Sequence, residues 1–188
     1  MLAVQKENLE MYKILLDKKD IDVNAQNKEG NTILHLASKI VNESFLNEIL
    51  NNSKIDINIQ NDQLNTPLHL VIENQNKTFA ILLIKNEKCN LSLANMKKMT
   101  PLLIAFDKKL DEIVNLLLDI PRDININLKD EKGIFLLNHF FYMAFIHYVA
   151  KSYQYNILPS LFNRQDIDVN IKNSNDILIF CHYIMKLQ

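Results

Sequence analysis

The chain has 188 residues, 48% of them hydrophobic and 23% charged, with a formal net charge of -1. The length can bury a sizeable core, and the near-neutral balance excludes nucleic-acid binding driven by phosphate neutralisation. Its two glycines, Gly30 and Gly133, lie too far apart to build a glycine-rich phosphate loop or a G-x-S-x-G nucleophile elbow.

In chain order, "MLAVQKENLE" meets charge at Lys6 and Glu7, too early for the apolar region of a signal peptide, and "LAV" at 2–4 reads as the end of a helix. Asn8 precedes an apolar-periodic run and suits a helix N-cap, because its side-chain oxygen can accept from a first-turn N–H. "DVNAQNKEGNTILHLA" (22–37) then reads as an extended turn followed by a short helix starting at Thr32. A second, longer helix opens at Asn42. "DINIQNDQLNTPLHLV" (56–71) repeats the first stretch at an offset of 34, with Asn76 opening its second helix. "NLSLANMKKMTPLLIA" (90–105) follows at the same offset, and "NINLKDEKGIFLLNHF" (125–140) one residue later. The last copy, "DVNIKNSNDILIFCHY" (168–183), comes after a gap lengthened by about eight residues.

The register assigns roles. Met11, Phe45, Phe79 and Ile113 share one position; Leu15, Ile49, Leu83 and Leu117 share another four residues on, so the two rows stack on one helical face and read as core. Thr-Pro at 66–67 and 100–101 fits a helix start, with the hydroxyl as cap and proline where no N–H is needed. Gly30 and Gly133 stand at a turn position that needs a positive φ. Leu64, Lys98 and Asp176 replace that glycine in other copies, which either strains those turns or reshapes them.

Chemistry finds little support. Thr32 with His35 looks like a catalytic pair in isolation, yet Thr66 and His69 repeat it at the same register without a recurring acid beside it. The plainer reading is a helix-start histidine bonding the Thr side chain and a neighbouring turn's backbone. His139, His147, Cys181 and His182 lack zinc-ligand spacing, so no metal and no cofactor is expected. Gly133 to Ala150 holds no Asp, Glu, Lys or Arg, but Asn138, His139 and His147 are costly in lipid and the register splits the run, so no membrane span is expected. Cys89 and Cys181 make no disulfide framework and suit a reducing compartment. The 25 asparagines could suggest disorder, but each unit has an apolar stripe to bury. The last third carries eleven of the fifteen Phe and Tyr residues, and an irregular helix or loop is expected over 143–162.

The 34-residue period, "NTPLHL" at 65–70 and "NTILHLA" at 31–37 resemble the ankyrin repeat, whose mark is a turn plus two helices with T-P-L-H-x-A. The match is strong in the first three copies and weak in the last two. The family histidine is kept at His35 and His69, then becomes Leu103, Asn138 and Cys181. The resemblance implies an all-α solenoid of stacked helix–turn–helix units with short β-like turn fingers, forming one domain over 1–188. The units fall at about 1–23 (partial), 24–57, 58–91, 92–126, 127–169 with an insertion, and 170–188 (partial).

It further implies a non-catalytic module that binds a partner protein through the concave face of fingers and first helices. By register those positions are Lys28, Glu29, Asn31, Lys39 and Ile40 in one unit, and Asp62, Gln63, Asn65, Glu73 and Asn74 in the next. Met96, Lys97, Met99, Asp107 and Lys108 follow, then Glu131, Lys132, Ile134, Tyr142 and Met143. The apolar members of the later units suggest that a partner's anchor sits there. No nucleic acid, membrane or small-molecule substrate is implied, and a cytoplasmic location is expected, with a nuclear one as the alternative. The alternatives are a scaffolding segment of a larger protein, a secreted effector-type ankyrin protein, and self-association through uncapped ends.

Overall fold

The computed structural model describes residues 1–18, 20–122 and 124. Among these residues it contains helices and turns and no strand. In order they are α1 (Leu2–Gln5), α2 (Leu9–Leu16), α3 (Ile33–Leu36) with a 3-10 turn over Ala37–Lys39, α4 (Glu43–Leu50), α5 (Pro67–Glu73), α6 (Lys77–Lys85), α7 (Pro101–Asp107) and α8 (Asp111–Asp119). Short first helices (α1, α3, α5, α7) alternate with second helices (α2, α4, α6, α8). The first helices pack on one another in sequence, and α6 lies between α4 and α8.

Local chemistry sets the helix starts. Asn8, Asn42 and Asn76 each accept at Oδ1 from the N–H three residues on, at 2.8, 3.1 and 3.1 Å. Asn76 does more. Its buried Nδ2 also donates to Ser38 O (3.1 Å) and Ile40 O (2.5 Å), tying α6 to the preceding unit. Thr66 and Thr100 cap α5 and α7, with Pro67 and Pro101 entering the first turn as expected.

The core is one continuous apolar spine. Phe45, Phe79 and Ile113 are 0–1% exposed, and Ile49, Leu83 and Leu117 are fully buried. Met11 departs from its row at 45% exposure. The outer side of α2 is left open among the described residues, and Ile14 is exposed there as well. Tyr12 turns inward instead and meets Phe45 edge to face at 5.7 Å.

The junction between the two helices of a unit also varies. Glu7, Gln75 and Lys109 take left-handed φ values of 49°, 57° and 56° there. The same register holds Val41, and a β-branched residue resists positive φ. The backbone therefore tightens into the 3-10 turn and leaves through an extended Ile40 (φ -79°, ψ 131°). Val41 is pushed out to 76% exposure while Ile40 is buried. That overturns the placement of Ile40 on the interaction face.

Candidate functional site

Among the described residues, three turn fingers, each opening with an asparagine, stand beside the first helices. Asn27, Asn61 and Asn95 accept at Oδ1 from the N–H groups two and four residues on, all at 2.9–3.0 Å, which closes each finger on itself. The fingers are then joined to each other. Asp62 N–H donates to Glu29 O (3.2 Å) and Met96 N–H to Gln63 O (3.0 Å). Gln26 Nε2 bridges Gly30 O and Gln60 O, and Gln60 Nε2 bridges Leu64 O and Ala94 O. At the base, Asn24 donates to Lys54 O and accepts from Asp56 N–H, and Asn58 donates to Lys88 O and accepts from Asn90 N–H, so each reaches the stretch that leads into the next finger. Asn24, Asn27, Asn58, Asn61 and Asn95 thus serve a hydrogen-bond ladder, since a primary amide both donates and accepts.

Gly30 has φ +72°, and an added Cβ would lie 2.6 Å from Asp62 N and 2.5 Å from Asp62 Oδ1. Leu64 and Lys98 occupy the same turn position with φ 56°. Those fingers keep the shape of the glycine finger and carry the strain.

The histidines are built into this scaffold. His69 Nε2 lies 3.0 Å from Met99 O, which can only accept, so Nε2 carries the proton. Nδ1 then accepts from Thr66 N–H (3.1 Å) and faces Thr66 Oγ1 at 2.7 Å. His35 repeats the arrangement with Asn65 O (2.8 Å), Thr32 N–H (3.1 Å) and Thr32 Oγ1 (2.9 Å). Each imidazole therefore ties one helix start to the next finger. Burial lowers the His69 pKa to about 4, partly opposed by the Met99 carbonyl, and burial also lowers that of His35. Burial likewise pushes the Cys89 thiol up to about 12, far from a reactive thiolate.

The register positions separate into two groups. Lys28, Glu29, Lys39, Asp62, Gln63, Glu73, Asn74, Met96, Lys97 and Asp107 are exposed along the fingertips and first helices. Glu73 pairs across units with Lys108 (2.8 Å), which raises the lysine pKa through that hydrogen bond. Asn65 is buried, against its placement on a binding face: its carbonyl accepts from His35 and its Oδ1 from Asn95 Nδ2 (2.9 Å). Asn31 is half-buried and accepts from Asn61 Nδ2 (2.8 Å). Met99 is half-buried, its carbonyl taken by His69. Glu131, Lys132, Ile134, Tyr142 and Met143 lie outside the described residues, as do Gly133, His139, His147, Cys181, His182 and the 143–162 insertion.

Two exposed fingertip residues, Leu64 and Lys98, were not among the register positions. The signal was available in their standing where a turn glycine is expected. Among the described residues no helix is long and apolar enough to cross a membrane.

A family model described as ankyrin repeats (3 copies) matches residues 1–61 and 40–130. Among solved structures, the chain is similar to the crystal structure of the ankyrin repeat domain of Bcl-3, described as a unique member of the IkappaB protein family. The identity is 20%, the TM-score 0.72, and the match covers 95% of this chain and 74% of that one. At that identity the likeness concerns the fold. No curated protein matches the sequence.

Proposed function

The chain belongs to the ankyrin repeat family, whose repeats are generally protein–protein interaction modules, and we propose that it acts as one without catalysis. Its partner is a protein gripped by the concave face of fingers and first helices. The observation that carries this reading is the division of labour among polar residues. His35, His69, Asn31, Asn65 and Asn76 are taken up by contacts between units, whereas Lys39, Lys97 and Asp107 are exposed on the finger and first-helix side. A cytoplasmic site of action belongs to the same proposal, supported by the free, buried thiol of Cys89.

The test is capture from native lysate by the full chain and by a Lys39→Glu/Glu73→Lys/Asp107→Lys variant with an unchanged melting transition. Partner recovery is expected to drop at least about ten-fold with the variant. Equal recovery by both chains would withdraw the reading.

A second reading, a scaffolding segment packed against a further folded unit, is favoured by the open outer side of α2. Leu2, Met11, Ile14 and Ile21 are 41–63% exposed there and on the adjoining segments. Sedimentation of the chain against a Met11→Ser/Ile14→Ser variant separates self-association through this face from a monomer.

A further inference from the structure

We propose that the tips of the second and third fingers form a docking platform for a protein segment carrying a large apolar side chain next to acidic residues. The inference rests on the interaction-module reading and specifies the partner's chemistry.

Leu64 stands at φ 56° and is 46% exposed. A leucine there strains the backbone and leaves apolar surface in water, and neither helps the chain fold. Met96, at the tip of the next finger, is 62% exposed. The two residues stand on adjacent turns joined by the Met96 N–H to Gln63 O bond (3.0 Å) and bridged by Gln60, which donates to Leu64 O (2.6 Å) and Ala94 O (3.1 Å). The backbone beneath the apolar pair is thus held before a partner arrives, so little ordering opposes binding. Methionine's unbranched, polarizable side chain adapts to the shape of an incoming group.

Charge selects the partner and its direction. Lys97 and Lys98 follow Met96; both are exposed, and neither is in an ion pair among the described residues. On the other side of Leu64, the first finger carries Lys28 and Glu29 together and the second carries Asp62. The positive end of the platform therefore lies at the third finger. A partner's acidic side chains fit over Lys97 and Lys98, with its apolar group between Leu64 and Met96.

A displayed random-peptide library panned on the full chain provides the probe, with enriched peptides then titrated by fluorescence anisotropy. The variants are Leu64→Gly/Met96→Ser, Lys97→Glu/Lys98→Glu, and the first-helix set Lys39→Glu/Glu73→Lys/Asp107→Lys. Glycine suits the left-handed turn better than leucine does, so the first variant is expected to keep its melting transition. Enriched peptides should combine an apolar residue with Asp or Glu, lose at least about ten-fold in affinity on both fingertip variants, and weaken as salt rises. Basic or uncharged peptides, or no enriched peptide, would overturn the inference. Peptides that ignore the fingertip variants but fail on the first-helix set overturn it while leaving the interaction-module reading intact. Peptides indifferent to all three sets count against both.

Discussion

Acidification should loosen the stack through His69. In the unfolded chain this imidazole titrates near 6.5, and in the fold at about 4. Between those values the unfolded state binds more protons, so the stability His69 provides is fully present above about pH 6.5 and is lost as pH falls toward 4. At pH 5 the loss from this residue alone is about 2 kcal/mol, along a slope approaching ~1.4 kcal/mol per pH unit. The geometry gives the cause. A proton on Nδ1 would meet the Thr66 N–H, which now donates to that atom, in a fully buried site. His35 adds a loss of the same sign. The assay is urea unfolding followed by circular dichroism from pH 7 to pH 5, on the parent and on a His35→Asn/His69→Asn variant. His139, His147 and His182 are common to both chains and drop out of the difference. The variant should be less stable at pH 7 yet flatter with pH. A parent that keeps its stability to within about 0.5 kcal/mol down to pH 5, or a variant with the parent's slope, would refute the reasoning.

Gly30→Ala should destabilise by about 2 kcal/mol in urea, from left-handed strain and displacement of the Asp62 N–H from Glu29 O. Leu64→Gly, which relieves the same strain but gives up a half-exposed side chain, should stay within about 1 kcal/mol of the parent. Asn76→Ala removes a cap and two bonds to the preceding unit, and should lower the unfolding free energy by roughly 2–4 kcal/mol. Phe79→Ala should cost about 3–5 kcal/mol, whereas Met11→Ala at the same register should cost under about 1 kcal/mol, read from paired calorimetric scans.

Helix starts were legible because their causes are local. An asparagine ahead of an apolar run, or Thr-Pro ahead of leucines, specifies a cap within four residues of chain. The His69 bond to a neighbouring finger was legible too, because a repeat offset turns sequence separation into spatial adjacency. Register alone placed Asn31 and Asn65 on the binding face, without showing that both also bond between units. Register says which residues share a position, but not whether the next unit reaches back to that position, and Asn61 and Asn95 do so.

The amino-acid sequence by itself determined the period, the alternation of turn and helices, and the apolar rows that make the spine, since all of these follow from residue type at fixed spacing. Tertiary structure decided which members of a row are buried. Met11 and Phe45 share a register, yet among the described residues only Phe45 is covered on both sides. It also decided how each turn answers a missing glycine. Leu64 and Lys98 accept the left-handed conformation because the fingers are clamped by their neighbours, whereas Val41, whose β-branch resists it, diverts the backbone and buries Ile40. Burial and strain depend on what the rest of the chain brings alongside, and a single repeat does not contain that information.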